Sequence, residues 1–132
     1  MIVIDTHIAL WWAHSPDKLS KDARAVIEKE EGCSGIYVSA VSIWEIALKN
    51  SVGKLILPYA VDEWFSLFLS TYPGIVVEPL KPLVAIESSR LPGEFHRDPA
   101  DRFIVALARH YGVPLVTADT KILNYPHVQT IW

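Results

Sequence analysis

Cysteine is nearly absent from this sequence: Cys33 is the single one among 132 residues. One thiol forms neither an intrachain disulfide nor a cysteine cluster for zinc. Together with an N-terminus that lacks a signal-peptide pattern, this leads us to expect a reducing, cytoplasmic setting. Long apolar runs are also missing. The first run, Met1–Ile4, stops at Asp5, and none reaches the roughly 18 uncharged residues of a membrane span, so no membrane attachment is expected. Positive charge is in short supply, with 12 Lys+Arg against 15 Asp+Glu and a formal net charge of −3. That excludes a small domain held to nucleic acid by overall basicity; any contact with RNA or DNA must come from a local arrangement of charges. There is no internal repeat, low-complexity tract or linker. The hydrophobic fraction of 51% and charged fraction of 20% exclude a disordered chain, a coiled coil and a collagen-like repeat. One domain spanning residues 1–132 is expected.

What is present alternates between short β-branched runs and helical stretches. Met1–Ile4 suits a strand covered on both faces. His7–Ala13 reads as a helix closed by Ser15-Pro16, and Ser20 caps a second over Lys21–Glu31 with Gly32 beyond. Ile36–Ser39 is a strand, after which Ser39 or Ser42 caps a helix to about Ser51. A further helical stretch starts at Pro58 and ends at Pro73-Gly74, followed by a strand over Ile75–Val77. Pro82–Arg90 is a short helix, and Pro99 to about Tyr111, stopped by Gly112, is the clearest one. Pro114–Thr117 is a strand, Thr120–Leu123 a helical turn and Val128–Ile131 a last strand. This alternation predicts an α/β fold with βαβ crossovers and a mainly parallel sheet of about five strands between helices.

In such a sheet the functional site lies beyond the carboxyl ends of the strands. Asp5 follows the first strand and Asp119 the fourth. Glu45 is the one charge in the run Val41–Leu48, and Asp98 and Asp101 open the helix leading into the fourth strand. Each acid has a local explanation as a helix cap or first-turn residue; their convergence does not. Unit charges about 4 Å apart interact by about 4 kcal/mol at an effective dielectric of about 20. Gathered carboxylates must therefore be neutralised or protonated. An all-oxygen set without a Cys or His cluster suits Mg²⁺ or Mn²⁺, which points to metal-assisted phosphodiester hydrolysis.

Four stretches carry a family resemblance: VIDTHIALWW from Val3, VSAVSIWEIALK from Val38, HRDPADRFIVALA from His96 and LVTADTKI from Leu115. In order and spacing the chain resembles the PIN-domain ribonucleases, specifically the VapC toxins of bacterial and archaeal toxin–antitoxin pairs, in their DPxDR-type branch. The resemblance implies a three-layer α/β/α sandwich and an endoribonuclease dependent on Mg²⁺, with Mn²⁺ as a substitute. It also implies an RNA substrate, a homodimer and inhibition by a VapB-like antitoxin. Position by position it puts Asp5, Glu45, Asp101 and Asp119 in the catalytic set and adds Asp98 to the metal set. It leaves open which of Asp98 and Asp101 stands closer to an ion. Asp5 and Asp101 are expected to hold the main ion. Thr6 and Thr117 are expected to supply supporting hydroxyls, and Arg97 and Arg102 to neutralise acids or touch RNA phosphate. The alternative from another class is a catalytically silent PIN-like module that binds RNA or protein.

Other residues are expected to be structural. His7 and His96 fit no zinc spacing and read as solvated or hydrogen-bonded, and Lys49 and Lys54 read as solvated lysines at a helix end, with RNA contact as the alternative. Trp11 and Trp12 are adjacent, so one packs while the other lines a rim or interface. Trp44 and Trp64 read as core or interface, mostly core.

Overall fold

The β-branched run at the N-terminus becomes the central strand of the sheet. The computed structural model describes all residues 1–132. Its strands are β1 (Ile2–Ile4), β2 (Ile36–Ser39), β3 (Ile75–Glu78), β4 (Leu115–Val116) and β5 (Thr130–Ile131), all parallel in the order β3-β2-β1-β4-β5. Helices α1 (Thr6–His14) and α2 (Lys21–Glu31) link β1 to β2, and α3 (Ala40–Ser51) and α4 (Val61–Thr71) link β2 to β3. Then α5 (Pro82–Ser89) and α6 (Pro99–Tyr111) carry the chain back to β4, and α7 (Thr120–Leu123) precedes β5. The chain builds outward on one side of β1 and then crosses to the other. The strand order therefore reverses between β1 and β4, where open parallel sheets form ligand crevices.

Strand periodicity divides the core into two. Ile2, Ile4, Ile36, Val38 and Val116 point to one face and pack with Ile8, Ile27, Ile46, Trp64 and Phe68. Val3 and Leu115 point to the other and pack with Ile104, Val105, Leu107 and Ile122. The result is the α/β/α sandwich that the alternation of strands and helices predicts. No helix is long and apolar enough to cross a membrane.

Several local signals act as read. Ser20 accepts the Ala23 N–H at 3.0 Å, and Ser39, not Ser42, caps α3 by accepting the Val41 N–H at 3.1 Å. Gly112 ends α6 with φ 63°, a left-handed conformation that costs glycine little. Helix α4 begins at Val61 rather than Pro58: residues 58–60 are exposed, Val61 is the first in this segment to pack against the core and Trp64 the first to be buried in it. The ordered ladder of β4 is shorter than Pro114–Thr117, although the Pro114 carbonyl still accepts the Val3 N–H at 2.9 Å. Trp64 is core as expected, whereas Trp44 is 56% exposed. Trp44 and Leu48 share the face of α3 turned away from the sheet, the C-cap residue Val52 continues that exposed stripe, and Ser42 and Ile46 take the inner face.

Gly74 joins α4 to β3, and its carbonyl accepts the Ile36 N–H at 2.8 Å. A Cβ at this position would overlap the Glu31 main-chain carbonyl, which cannot swing away as a side-chain end would. Gly74→Ala is expected to cost about 1–3 kcal/mol through forced backbone movement. The measurement is a shift in denaturant midpoint at constant m-value.

Candidate active site

Asp5 leaves β1 at its carboxyl end and is 5% exposed. One carboxylate oxygen caps α1 by accepting the Thr6 N–H at 2.7 Å, and the other accepts the Thr117 hydroxyl at 2.8 Å. Both bonds favour the anion, yet burial outweighs them and pushes Asp5 above the ordinary carboxylate range. The Thr117 oxygen also accepts the Asp119 N–H at 3.1 Å, so one hydroxyl ties the acid after β1 to the segment after β4. Asp119 itself caps α7 through the Lys121 N–H at 2.8 Å.

Glu45 reaches the same edge from α3. Its Oε1 accepts the Thr6 hydroxyl at 2.6 Å, and its Oε2 lies 3.9 Å from Lys49 Nζ. A carboxylate only accepts, so the single Thr6 proton goes to Glu45, and the buried Ser42 hydroxyl, 2.8 Å away, donates to Thr6. Ser42 and Lys49 are thus partners of the acidic centre that the sequence reading treated as a cap candidate and a solvated lysine. The available signal was spacing, since Ser42, Glu45 and Lys49 follow one another at i, i+3 and i+7 on one helix face.

The start of α6 contributes two acids in different roles. Asp98 is exposed and is the cap, its Oδ1 accepting the Ala100 N–H at 3.0 Å and the Asp101 N–H at 3.5 Å. Asp101 is the enclosed one, with its side chain 17% exposed. Burial first, and then the negative charges of Asp5, Asp98, Asp119 and Glu45, push its carboxyl up to about 7. The other four acids therefore lie within electrostatic reach of Asp101. His96 holds its ring beside Asp101. Its Nδ1 accepts the Asp98 N–H at 3.3 Å, while its Nε2 is 3.1 Å from Asp101 Oδ2, outside hydrogen-bond alignment.

The two arginines differ from each other. Arg97 is exposed beside the acids. Arg102 donates to the Ser88, Phe95 and His96 carbonyls at 2.8, 3.1 and 3.2 Å. That use differs from the expected contact with acid or phosphate: the 88–96 segment has carbonyls without ladder partners, and the guanidinium fork braces them.

The donor set bears on which ion the residues suit. No three His, Cys, Asp or Glu side chains come close enough to ligate one ion directly. The converging charges are all carboxylates, and the basic side chains within 4.0 Å of them are the Lys49 ammonium beside Glu45 and the His96 imidazole beside Asp101. Such a set suits a hard divalent ion that keeps several waters and meets one or two carboxylates.

Comparison with known proteins agrees with this architecture. The family model of the PIN domain matches residues 2–128. The chain belongs to the PIN-domain family. Ribonuclease VapC22 of Mycobacterium tuberculosis is 31% identical to this PIN domain over 99% of the chain and 98% of its own length. Among solved structures, VapBC2 from Rickettsia felis bound to a promoter DNA fragment superposes with a TM-score of 0.71 at 17% identity, covering 99% of this chain and 98% of that one. DNA-bound VapBC from Salmonella typhimurium gives 0.71 at 15% identity, over 98% of this chain and 96% of that one. At those identities the structures establish the fold of this PIN domain.

Proposed function

We propose that this PIN domain is an endoribonuclease dependent on Mg²⁺ or Mn²⁺ and acts as the toxin of a toxin–antitoxin pair. The observation that carries the reading is the group of acids at the β1/β4 reversal, where burial first and the neighbouring negative charges second raise Asp101 to about 7. A fold tolerates such a concentration of like charge where a cation offsets it. Similarity to a named ribonuclease over nearly the whole chain supports RNA as the substrate. Structural kinship with toxin–antitoxin complexes supports a VapB-like antitoxin as partner. The exposed apolar stripe Trp44, Leu48 and Val52 on α3 is consistent with a protein partner, the antitoxin or a second copy in a homodimer.

Asp5 and Asp101 would hold the ion, with Glu45, Asp119 and Asp98 in support directly or through water. A bound ion supplies Lewis-acid polarisation of a phosphoryl oxygen and a more acidic water. The chain's own residues set the geometry. Thr117 fixes Asp5 and the start of the Asp119 segment, and Thr6 with Ser42 fixes Glu45. Because Thr6 occupies Oε1 of Glu45, Oε2 is the atom left to accept a proton from an attacking water and orient it.

The direct test is incubation of the purified protein with total RNA in Mg²⁺, in Mn²⁺ and in EDTA. Discrete cleavage with either ion and none in EDTA is expected. Binding of RNA without cleavage in either ion would overturn the reading in favour of the silent module.

A further inference from the structure

A cavity of about 430 Å³ opens beside Thr6, between α1, α3 and the 54–57 segment. Its charged lining is Lys18, Lys49 and Lys54, and it contains no acid. In a chain of net charge −3, this is a local positive field of the kind that composition alone left as the one route to a polyanion. The cavity and the acidic centre share a wall. Thr6 lines the cavity and donates to Glu45, and Lys49 lines it and sits 3.9 Å from Glu45. The main aromatic surface within it is Trp11. Its ring is steadied by His7 and by Trp132, at 6.1 and 5.9 Å between ring centroids.

Resting on the ribonuclease reading, we propose that this cavity seats a nucleotide of single-stranded RNA next to the scissile phosphate, with its base on Trp11 and its phosphates on Lys18 and Lys54. The cavity falls within the range of about 300–1,000 Å³ typical of small-ligand pockets. Lysines and an aromatic ring lining one cavity are the combination that single-strand binders use: cations track the backbone and a π-face takes the base without regard to sequence. The base must be unpaired to reach the ring, so a duplex is excluded from the site. The lysines also solve a problem that the acids create. A phosphate chain approaching five carboxylates is repelled, and Lys18 and Lys54 supply the attraction that brings the strand to them.

The test uses Lys18→Gln/Lys54→Gln, both exposed positions outside the acidic centre, and Trp11→Leu, which keeps apolar bulk at a half-buried position. The probe is a fluorescein-labelled 12-nucleotide oligoribonucleotide of mixed sequence, followed by anisotropy in EDTA. The same oligonucleotide annealed to its complement serves as control. Cleavage in Mg²⁺ is measured in parallel. Wild type is expected to prefer the single strand. The lysine variant should bind it about tenfold more weakly, with a salt slope shallower by about 1.4, the value for two lost phosphate contacts at about 0.7 each. Its KM should rise by a similar factor with kcat little changed. Trp11→Leu should lose about tenfold in affinity for the single strand, in line with stacking measured elsewhere. Unchanged RNA binding and KM in both variants, while wild type binds and cuts, would overturn the nucleotide site and leave the ribonuclease reading standing. The same unchanged binding, combined with loss of a co-expressed protein partner, would reassign the cavity to protein docking. Wild type that neither binds nor cuts the RNA in Mg²⁺ would overturn both.

Discussion

Replacing Asp5 by Asn is expected to lower RNA cleavage at least about a thousandfold while raising the melting temperature of the metal-free protein. The two effects have one cause. Asp5 is a carboxylate held at 5% exposure at the β1/β4 reversal, and burial works against its charge. Asn retains an oxygen for the Thr6 N–H, bonded at 2.7 Å in the native chain, and its amide donates to the Thr117 oxygen, reversing the native 2.8 Å bond so that only the Thr117 hydroxyl proton loses its acceptor. The buried charge disappears and with it the charge that would hold a cation. A thousandfold corresponds to about 4 kcal/mol of barrier, the scale on which a bound ion stabilises a transition state. Asp5→Ala makes the contrast: it leaves the Thr6 N–H and the Thr117 hydroxyl unpaired, at a cost of about 1–3 kcal/mol each where buried. The checks are initial rates of RNA cleavage in Mg²⁺ and thermal melts in EDTA. Cleavage by Asp5→Asn at the wild-type rate would remove Asp5 from the site. A clear drop in its melting temperature would mean that its bonds support the fold more than its charge burdens it.

Metal-free protein is expected to lose stability as pH rises from about 5 to 8, and a divalent ion should restore it at the upper end. The sign follows from Asp101. Its carboxyl stands at about 7 in the folded chain against an ordinary value of 3.8. Between those values the folded state keeps a proton that the unfolded chain has released, so unfolding gives up protons and stability falls with rising pH. Below 3.8 both states are protonated and the slope from this residue vanishes. Asp5 is raised for the same dominant reason, burial, and adds to the slope in the same direction. Asp101→Asn should flatten the profile and raise the melting temperature at pH 8 by several degrees. At that pH, Mg²⁺ or Mn²⁺ should stabilise wild type more than the variant, because a bound ion stabilises only the state that binds it. Melting curves from pH 5 to 8 in EDTA and in excess Mg²⁺ measure both. A flat wild-type profile, or equal stabilisation of both proteins by the ion, would contradict the role given to Asp101.

Much of this was legible in the sequence because the decisive signals are local. A β-branched run ending at Asp5, Ser20 before a helix, Asp98-Pro99 at a helix start and Gly112 at its end are each read within a few residues by capping and backbone sterics. They also place the acids at the carboxyl edge once the strands are parallel. The start of α4 was misplaced because Pro58 permits a helix that residues 58–60 have no core surface to support. Trp44 takes the exposed alternative rather than the core one, because which side of an apolar run is buried is open until the inner face of α3 is known.

The sequence by itself therefore determined the sandwich, the order of its elements and the five acids brought to one edge. Periodicity and capping act along the chain and need no knowledge of what lies across from it. Only the tertiary structure decided how the acids differ: Asp98 a solvated cap, Asp101 enclosed among like charges, Glu45 tied through Thr6 to Ser42, and Arg102 spent on main-chain carbonyls. It alone gathered Lys18, Lys49 and Lys54 around Trp11. Burial, hydrogen bonding and charge coupling depend on distances between segments far apart in sequence, and those distances exist only once the chain has folded.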